Sequence, residues 1–351
     1  MAYRVIQWAT GSMGKTCLRA VIDHPDLELA GLLVYSGSKA GKDAGEIAHR
    51  DTTGVTATRD VEKILALDAD VVIHAPRLQP PYTHHNKDIC RLLASGKNVI
   101  SINGHAFPQH RGAEYAGAFE KACKQGNATL FGTGLNPGFI AEKIATAASG
   151  LCQRLDHMEI REVFETRAMQ DPNYVFDILG FGSACGSIDP NDPAWSPAEI
   201  LNGMYCEVVS LVAHRLGLAL DRVETDHVML PATRDIETAA GIISKGTTGH
   251  INWRWHGIVE GTRRVTMSIF WVMEGAYLDR TDPPLWEIRI QGLPGVNIYV
   301  DLSNPADYPF KTGPEQLALA ASVVHSIPAV CAAAPGILNT PAFAPFRPNF
   351  G

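Results

Sequence analysis

No stretch of this sequence reaches the roughly 18 apolar residues that a membrane-spanning helix needs. The nearest, Leu317 to Ile337, is interrupted by His325, Pro328 and Pro335, so no membrane association is expected. No cluster of Lys and Arg occurs either. The chain holds 30 Lys+Arg against 37 Asp+Glu, a formal net charge of -7, and such a surface is not expected to bind nucleic acid. The N-terminus has neither a basic n-region nor an apolar h-region, because Tyr3-Arg-Val-Ile-Gln-Trp8 reads directly as a strand. Without a secretory signal the cytoplasm is the expected location. Cysteine is sparse, with 7 in 351 residues at wide spacing and no C-x-x-C pair. That excludes a disulfide framework and a thiolate metal site. His84, His85 and Cys90 lack a fourth partner at useful spacing, so no metal is expected. Charged residues make up only 19% of the chain and hydrophobic ones 46%. That is enough apolar surface to rule out disorder and to fill two domains of roughly 150 residues each.

What is present is an alternation of short apolar runs and helical stretches. Residues 4–9, 27–35, 70–75, 98–102 and 128–133 read as strands, and 13–23, 61–67, 86–95 and 113–125 as helices. The strands are apolar on both faces, the mark of a parallel sheet covered by helices. The fold class expected is α/β, an N-terminal Rossmann-type doubly wound parallel sheet followed by a second α+β domain.

The first strand runs into Ala9-Thr-Gly-Ser-Met-Gly14 and then a helix. Against the pattern G-x-G-x-x-G the first position is Ala9, and Gly11 and Gly14 keep the other two. Gly11 lets backbone N–H groups approach a pyrophosphate, and Gly14 lets helix and strand pack closely. Ala9, Thr10, Gly11, Ser12, Met13 and Gly14 therefore form the candidate phosphate-binding turn, joined by Ala75 at the end of the third run. The second strand ends in Val34-Tyr-Ser-Gly-Ser-Lys39. NAD-binding proteins usually carry an acid here for the ribose 2′-OH. Ser36, Ser38 and Lys39 instead favour a 2′-phosphate, so NADP(H) is the preferred cofactor expected, with NAD(H) also accepted. Gly134-Leu-Asn-Pro-Gly138 follows the last strand of this half, placing Asn136 to bind a carboxamide.

Beyond residue 140 the pattern changes. Ser196-Pro-Ala-Glu199 is a capping box opening a helix to about Leu216. Long alternating stretches follow at 222–237, 250–261, 263–274, 285–292 and 296–302. They read as a largely antiparallel sheet with one face packed on a helix. The domains expected are 1–140 for dinucleotide binding, 141–315 for substrate and dimerisation, and 316–351 as a helix and tail returning to the first domain. A homodimer through the second sheet is expected, with Trp253, Trp255 and Trp271 on a face that too few helices cover.

Five segments in order resemble a known group: Trp8–Gly14, Gly41–Gly45, Gly132–Phe139, Asp177–Gly182 and Ile327–Gly336. They are similar to the dihydrodipicolinate-reductase-like family that contains 2,4-diaminopentanoate dehydrogenase and the native amine dehydrogenases. The resemblance implies an NAD(P)-dependent oxidoreductase acting on a small, mostly apolar ketone, imine or amine. It also implies a two-domain dimer with its substrate pocket between the domains, and moves Phe139 and Tyr174 toward the pocket wall. Phe176 and Trp195 belong to the same aromatic-rich region, where core packing is the competing explanation. In the amine dehydrogenases a Glu handles the ammonia and iminium charge in the loop that matches Ile100-Ser-Ile-Asn-Gly-His-Ala106. Here that loop holds no carboxylate, which leaves three alternatives: an amine dehydrogenase, an ammonia-independent carbonyl or imine reductase, or a catalytically silent dinucleotide-binding protein. Within the loop Asn103 is the candidate for orienting substrate and His105 the candidate proton donor.

Overall fold

The computed structural model describes residues 2–340 and 344–348. The chain divides into two units, Met1–Phe139 with Ser303–Thr340, and Ile140–Leu302 with Pro341–Gly351. The first division lies between Phe139 and Ile140, where the sequence reading put it between residues 140 and 141. Residues 303–315, read as part of the second domain, group with the first unit together with 316–340. Of the tail, residues 341–343 and 349–351 lie outside the described residues.

In the first unit, strands β1 (Tyr3–Trp8), β2 (Leu27–Leu33), β3 (Val71–His74), β4 (Asn98–Ser101) and β5 (Thr129–Gly132) form a parallel sheet, joined at its edge by Gly336–Ile337. The order outward from the middle is β1-β2 in one direction and β3-β4-β5 in the other. The carboxyl ends of β1 and β3 therefore flank the point where the winding reverses, where such sheets bind ligands. Adjacent residues of one strand face opposite layers. Ile6, Val72, Val99 and Leu130 pack with Ile89, Leu92 and Phe119, from helices α4 (Asn86–Ala94) and α5 (Ala113–Gly126). Val5, Val71, Ile73, Ile100 and Phe131 pack with Cys17, Val21, Val323 and Ile327. Those come from helix α1 (Ser12–Asp23) and from helix Pro314–Ala332. That second helix is the one described helix long and apolar enough to cross a membrane. Here its apolar stripe fills the sheet's second face, which accounts for the hydropathy. All seven cysteines are free, and burial pushes the Cys17 thiol up to about 12.

The second unit is built on one large sheet. It comprises β6 (Arg154–Glu165), β7 (Arg222–Thr225), β8 (Val228–Pro231), β11 (Thr248–Val259), β12 (Thr262–Val272), β13 (Trp286–Leu293) and β14 (Val296–Val300). Two further strands, β9 (Ile236–Thr238) and β10 (Gly241–Ile243), pair with each other. All pairs are antiparallel except β6 with β12. The stretch read as continuous over 222–237 is broken at Asp226-His227, where both side chains turn into a polar network. Helix Ser196–Arg215 packs on β11 and β12. Of the three tryptophans expected at a dimer interface, Trp253 and Trp255 are 0% exposed and Trp271 is half-buried. Trp255 stacks on Tyr205 of that helix, with ring centroids 4.3 Å apart. The strand's alternation sends Asn252, Arg254 and His256 to the opposite face, where they line an open, polar groove with His157, Asp226 and Thr266.

Candidate functional site

The turn from β1 into α1 is shaped from within. Ala9 adopts φ +74, the left-handed region where glycine is usual and an alanine side chain costs roughly 1–2 kcal/mol. Gln7, fully buried between Ile6 and Trp8, donates its side-chain amide to the Ala9 carbonyl at 2.9 Å and holds that conformation. Gly14 follows from the same turn, because a β-carbon there would lie 2.4 Å from the Ala9 carbonyl oxygen. Gly11 differs, since a β-carbon there would meet nothing within 4 Å. No side chain caps α1 and no acid stands in its first turn, so the first N–H groups of the helix point out with positive partial charge. Open space above Gly11 and uncapped donors fit a pyrophosphate. Ser12 and Thr10 line this turn, their side chains engaged by Gln316 Nε2 at 2.7 Å and Lys39 Nζ at 3.1 Å.

Lys39 does not reach outward from β2 as its position suggests. Its ammonium donates to the Thr10 carbonyl at 2.8 Å, setting a cation over the phosphate turn beside Lys15. Burial, with Lys15 close by, lowers its pKa. Ser36 and Ser38 remain exposed at the end of β2, their hydroxyls 2.7 Å apart. Tyr35 beside them accepts a hydrogen bond from Trp8 Nε1 at 2.9 Å. Sequence reading missed Gln7, whose signal was a lone amide within the apolar run Val5–Trp8.

The loop after β4 is tied down by its own side chains. Asn103 donates its amide to the Pro76 carbonyl after β3, and its backbone N–H donates to Ser101 Oγ at 3.3 Å. Its Oδ1 accepts no hydrogen bond from the described residues. Gly104 adopts φ +98, and a β-carbon there would overlap the Tyr82 hydroxyl at 1.9 Å. The structure places His105 in the interior of the first unit. Its ring is 2% exposed. Nδ1 lies 3.1 Å from Ser101 Oγ and Nε2 3.0 Å from Asn86 Oδ1. Because an amide oxygen only accepts, Nε2 carries the proton and Nδ1 accepts from the serine. The ring also stacks on Tyr82 and meets the edge of Phe119. Burial, helped by the neighbouring His85, holds its pKa down to about 4. With both nitrogens engaged in the interior, the neutral imidazole ties the loop to Ser101 and Asn86.

After β5 comes the helical segment Leu135–Ala145, within which Asn136 is extended at φ -129 and ψ 124. Asn136 is half-buried and Phe139, 36% exposed, lies on the first unit's surface. Ala75 is buried, its N–H bonded to the Trp8 carbonyl, so it shapes the β3 end through its backbone. In the second unit Tyr174 and Phe176 share the turn Asn173–Ile178. Phe176 sits against Gly182 and Gly241. Trp195 stacks on Trp253, with ring centroids 5.5 Å apart, so it belongs to the packing of that sheet. Glu142, unremarked in the sequence, is 1% exposed, 3.6 Å from Arg215. Burial pushes its carboxyl up to about 7 against the pull of Arg215. Among the described residues no group of His, Cys, Asp and Glu could hold a metal ion.

Residues 5–100 match the family model described as dihydrodipicolinate reductase, N-terminus. An amine dehydrogenase from Streptomyces virginiae is 30% identical over 268 residues, covering 75% of this chain and 73% of that protein. A 4-hydroxy-tetrahydrodipicolinate reductase from Neisseria meningitidis is 42% identical over 83 residues, 23% of this chain and 30% of that one. Among solved structures, the amine dehydrogenase from Mycobacterium smegmatis superposes with a TM-score of 0.73 at 17% identity, covering 98% of this chain and 99% of that chain. A scyllo-inositol dehydrogenase from Lactobacillus casei, solved with NAD(H) and scyllo-inositol, gives 0.56 at 13% identity, covering 94% and 90%. At those identities both structures speak for the fold alone.

Proposed function

The chain belongs to the dihydrodipicolinate-reductase-like oxidoreductases that include the amine dehydrogenases, and from that premise we propose that it transfers hydride between a nicotinamide dinucleotide, NADP(H) in preference to NAD(H), and a small, mostly apolar ketone, imine or amine. The observation that carries the reading is the β1–α1 turn, with its left-handed Ala9, open Gly11 and uncapped helix terminus beside the winding switch of a parallel sheet. When bound, the dinucleotide supplies the hydride. The chain supplies the rest. The first turn of α1 holds the pyrophosphate, and Lys39 adds positive charge there. Phe139, exposed on the first unit's surface, offers an apolar side chain to the substrate. Asn103, with its Nδ2 fixed on Pro76, offers Oδ1 as an acceptor for an N–H of the substrate or of a carboxamide.

In the reductive direction with ammonia, the carbonyl carbon would bond to the ammonia nitrogen, its oxygen would leave as water to give the iminium, and that carbon would take the hydride to become the amine, one proton being consumed overall. One specific observation favours a second reading. Residues 100–106 hold no carboxylate to stabilise a developing iminium charge, which suits an ammonia-independent carbonyl or imine reductase. NADPH oxidation with a panel of small ketones, with and without ammonium, tests both. Turnover only with ammonium supports the amine dehydrogenase reading, and equal turnover without it supports the reductase. No turnover on any ketone or cyclic imine, with NADPH still bound, means a dinucleotide-binding protein without catalysis.

A further inference from the structure

The dinucleotide reading leaves open what selects between the two nicotinamide cofactors, and the structure points away from Lys39, whose ammonium is spent on Thr10. A second cation stands where the first was expected. The segment ending at Thr58 runs alongside the end of β2: Thr58 N–H donates to the Leu32 carbonyl at 2.9 Å, and Val34 N–H donates to the Thr58 carbonyl at 2.9 Å. Leu33 and Thr58 thereby form a parallel bridge. Because the bridge is parallel, the next residue, Arg59, leaves on the same edge as Tyr35 and Ser36. A β-carbon at Gly37 would lie 3.9 Å from Arg59 Nη1, so the guanidinium reaches over the Ser36-Gly37-Ser38 turn.

Arg59 is exposed and makes no ion pair or hydrogen bond among the described residues. Its neighbour Asp60 does not neutralise it by pairing, because Oδ1 of that carboxylate caps helix α3 (Val61–Ala66), accepting from Glu62 N–H at 3.0 Å and Lys63 N–H at 3.3 Å. No acid occurs between Val34 and Lys42. The turn under the guanidinium offers two hydroxyls, and Ser38 N–H already bends back to Ser36 Oγ at 3.3 Å. A planar fork of donors reaching a turn that carries two hydroxyls and no acid matches a phosphate monoester and wastes its charge on a plain ribose hydroxyl. Resting on the dinucleotide reading, we infer that Arg59, with Ser36 and Ser38, is the ribose 2′-phosphate subsite and sets the preference for NADP(H), while Lys39 serves the pyrophosphate common to both cofactors.

Dissociation constants for NADPH and NADH, by fluorescence titration of the full chain, test this with two variants. Arg59→Ala is expected to weaken NADPH at least tenfold and NADH less than twofold, with Arg59→Lys in between. Lys39→Ala is expected to weaken both by a similar factor. In competition, 2′,5′-ADP displaces NADPH from the wild type more effectively than 5′-AMP does, and Arg59→Ala removes the difference. Arg59 is exposed and unpaired, so the thermal midpoint of Arg59→Ala should match the wild type. The inference is overturned if Arg59→Ala leaves the NADPH-to-NADH ratio unchanged, or if Lys39→Ala alone abolishes it; in either case the dinucleotide site itself stands. A wild type that binds neither cofactor overturns the functional reading instead.

Discussion

The side-chain amide of Gln7 sits 2.9 Å from the carbonyl oxygen of Ala9, and through it a strand residue holds a non-glycine in the left-handed conformation that starts the phosphate turn. Replacing Ala9 by Gly relieves roughly 1–2 kcal/mol of strain and gives back up to about 1 kcal/mol of chain entropy. Ala9→Gly is therefore expected to be neutral to slightly stabilising in thermal melts, with NADPH affinity kept. Ala9→Val is expected to destabilise, because a β-branched residue tolerates positive φ worse. A large loss of stability in Ala9→Gly would mean that the turn is set by something other than the backbone.

His105 carries a different expectation from the one its loop position suggested. His105→Ala removes two buried hydrogen bonds and should cost on the order of 2 kcal/mol of stability. Since its folded pKa is about 4, below the ordinary 6.5, it stays neutral in the folded protein. Its stabilising contribution is then present above pH 6.5 and lost as pH falls toward 4. His105→Asn should leave the shape of the kcat–pH profile between pH 5.5 and 8 unchanged. Loss of a limb of that profile in His105→Asn would restore His105 as a proton donor.

Glu142 has the opposite sign. Its folded pKa is raised to about 7, so the folded state binds this proton more tightly than the unfolded chain does. The stability it contributes is full below the ordinary carboxylate range and falls as pH rises toward 7. Glu142→Gln should flatten that fall. The difference between wild type and variant in thermal midpoint should change by a few degrees between pH 5 and 8. A difference independent of pH would show that Glu142 is ionised throughout.

The open face of the second sheet alternates charges of both signs, with Arg254 paired to Asp226, Arg161 to Asp279 and Arg289 to Glu287. Such a surface can pair with a copy of itself across a two-fold axis. A homodimer through this polar face is expected by light scattering, weakened at high salt. Arg254→Glu is expected to shift it to monomer, and a wild-type monomer at micromolar concentration would remove the idea.

Periodicity made the doubly wound sheet and the antiparallel second unit legible, because apolar runs of four to seven residues and alternating strands leave strong local patterns. The glycine turn was legible for the same reason, as spacing on one segment. What stayed hidden depended on side chains meeting across the fold. Lys39 turns back onto Thr10, Arg59 comes near Gly37 from a separate segment, and His105 is sealed between Ser101 and Asn86. The tryptophans of β11 read as interface because alternation says which residues share a face and not which face is covered; helix Ser196–Arg215 settles that.

The site's identity turns on Gly11, where a side chain would enter open space and so would leave folding untouched while filling the room above α1. Fluorescence titration of NADPH into wild type and Gly11→Asp, with melts of both in parallel, tests the dinucleotide site most directly. The expected result is saturable binding to the wild type and at least a hundredfold weaker binding to Gly11→Asp at an unchanged thermal midpoint, since a carboxylate would face the pyrophosphate. Equal NADPH affinity in the two proteins, or no binding to the wild type, would contradict it.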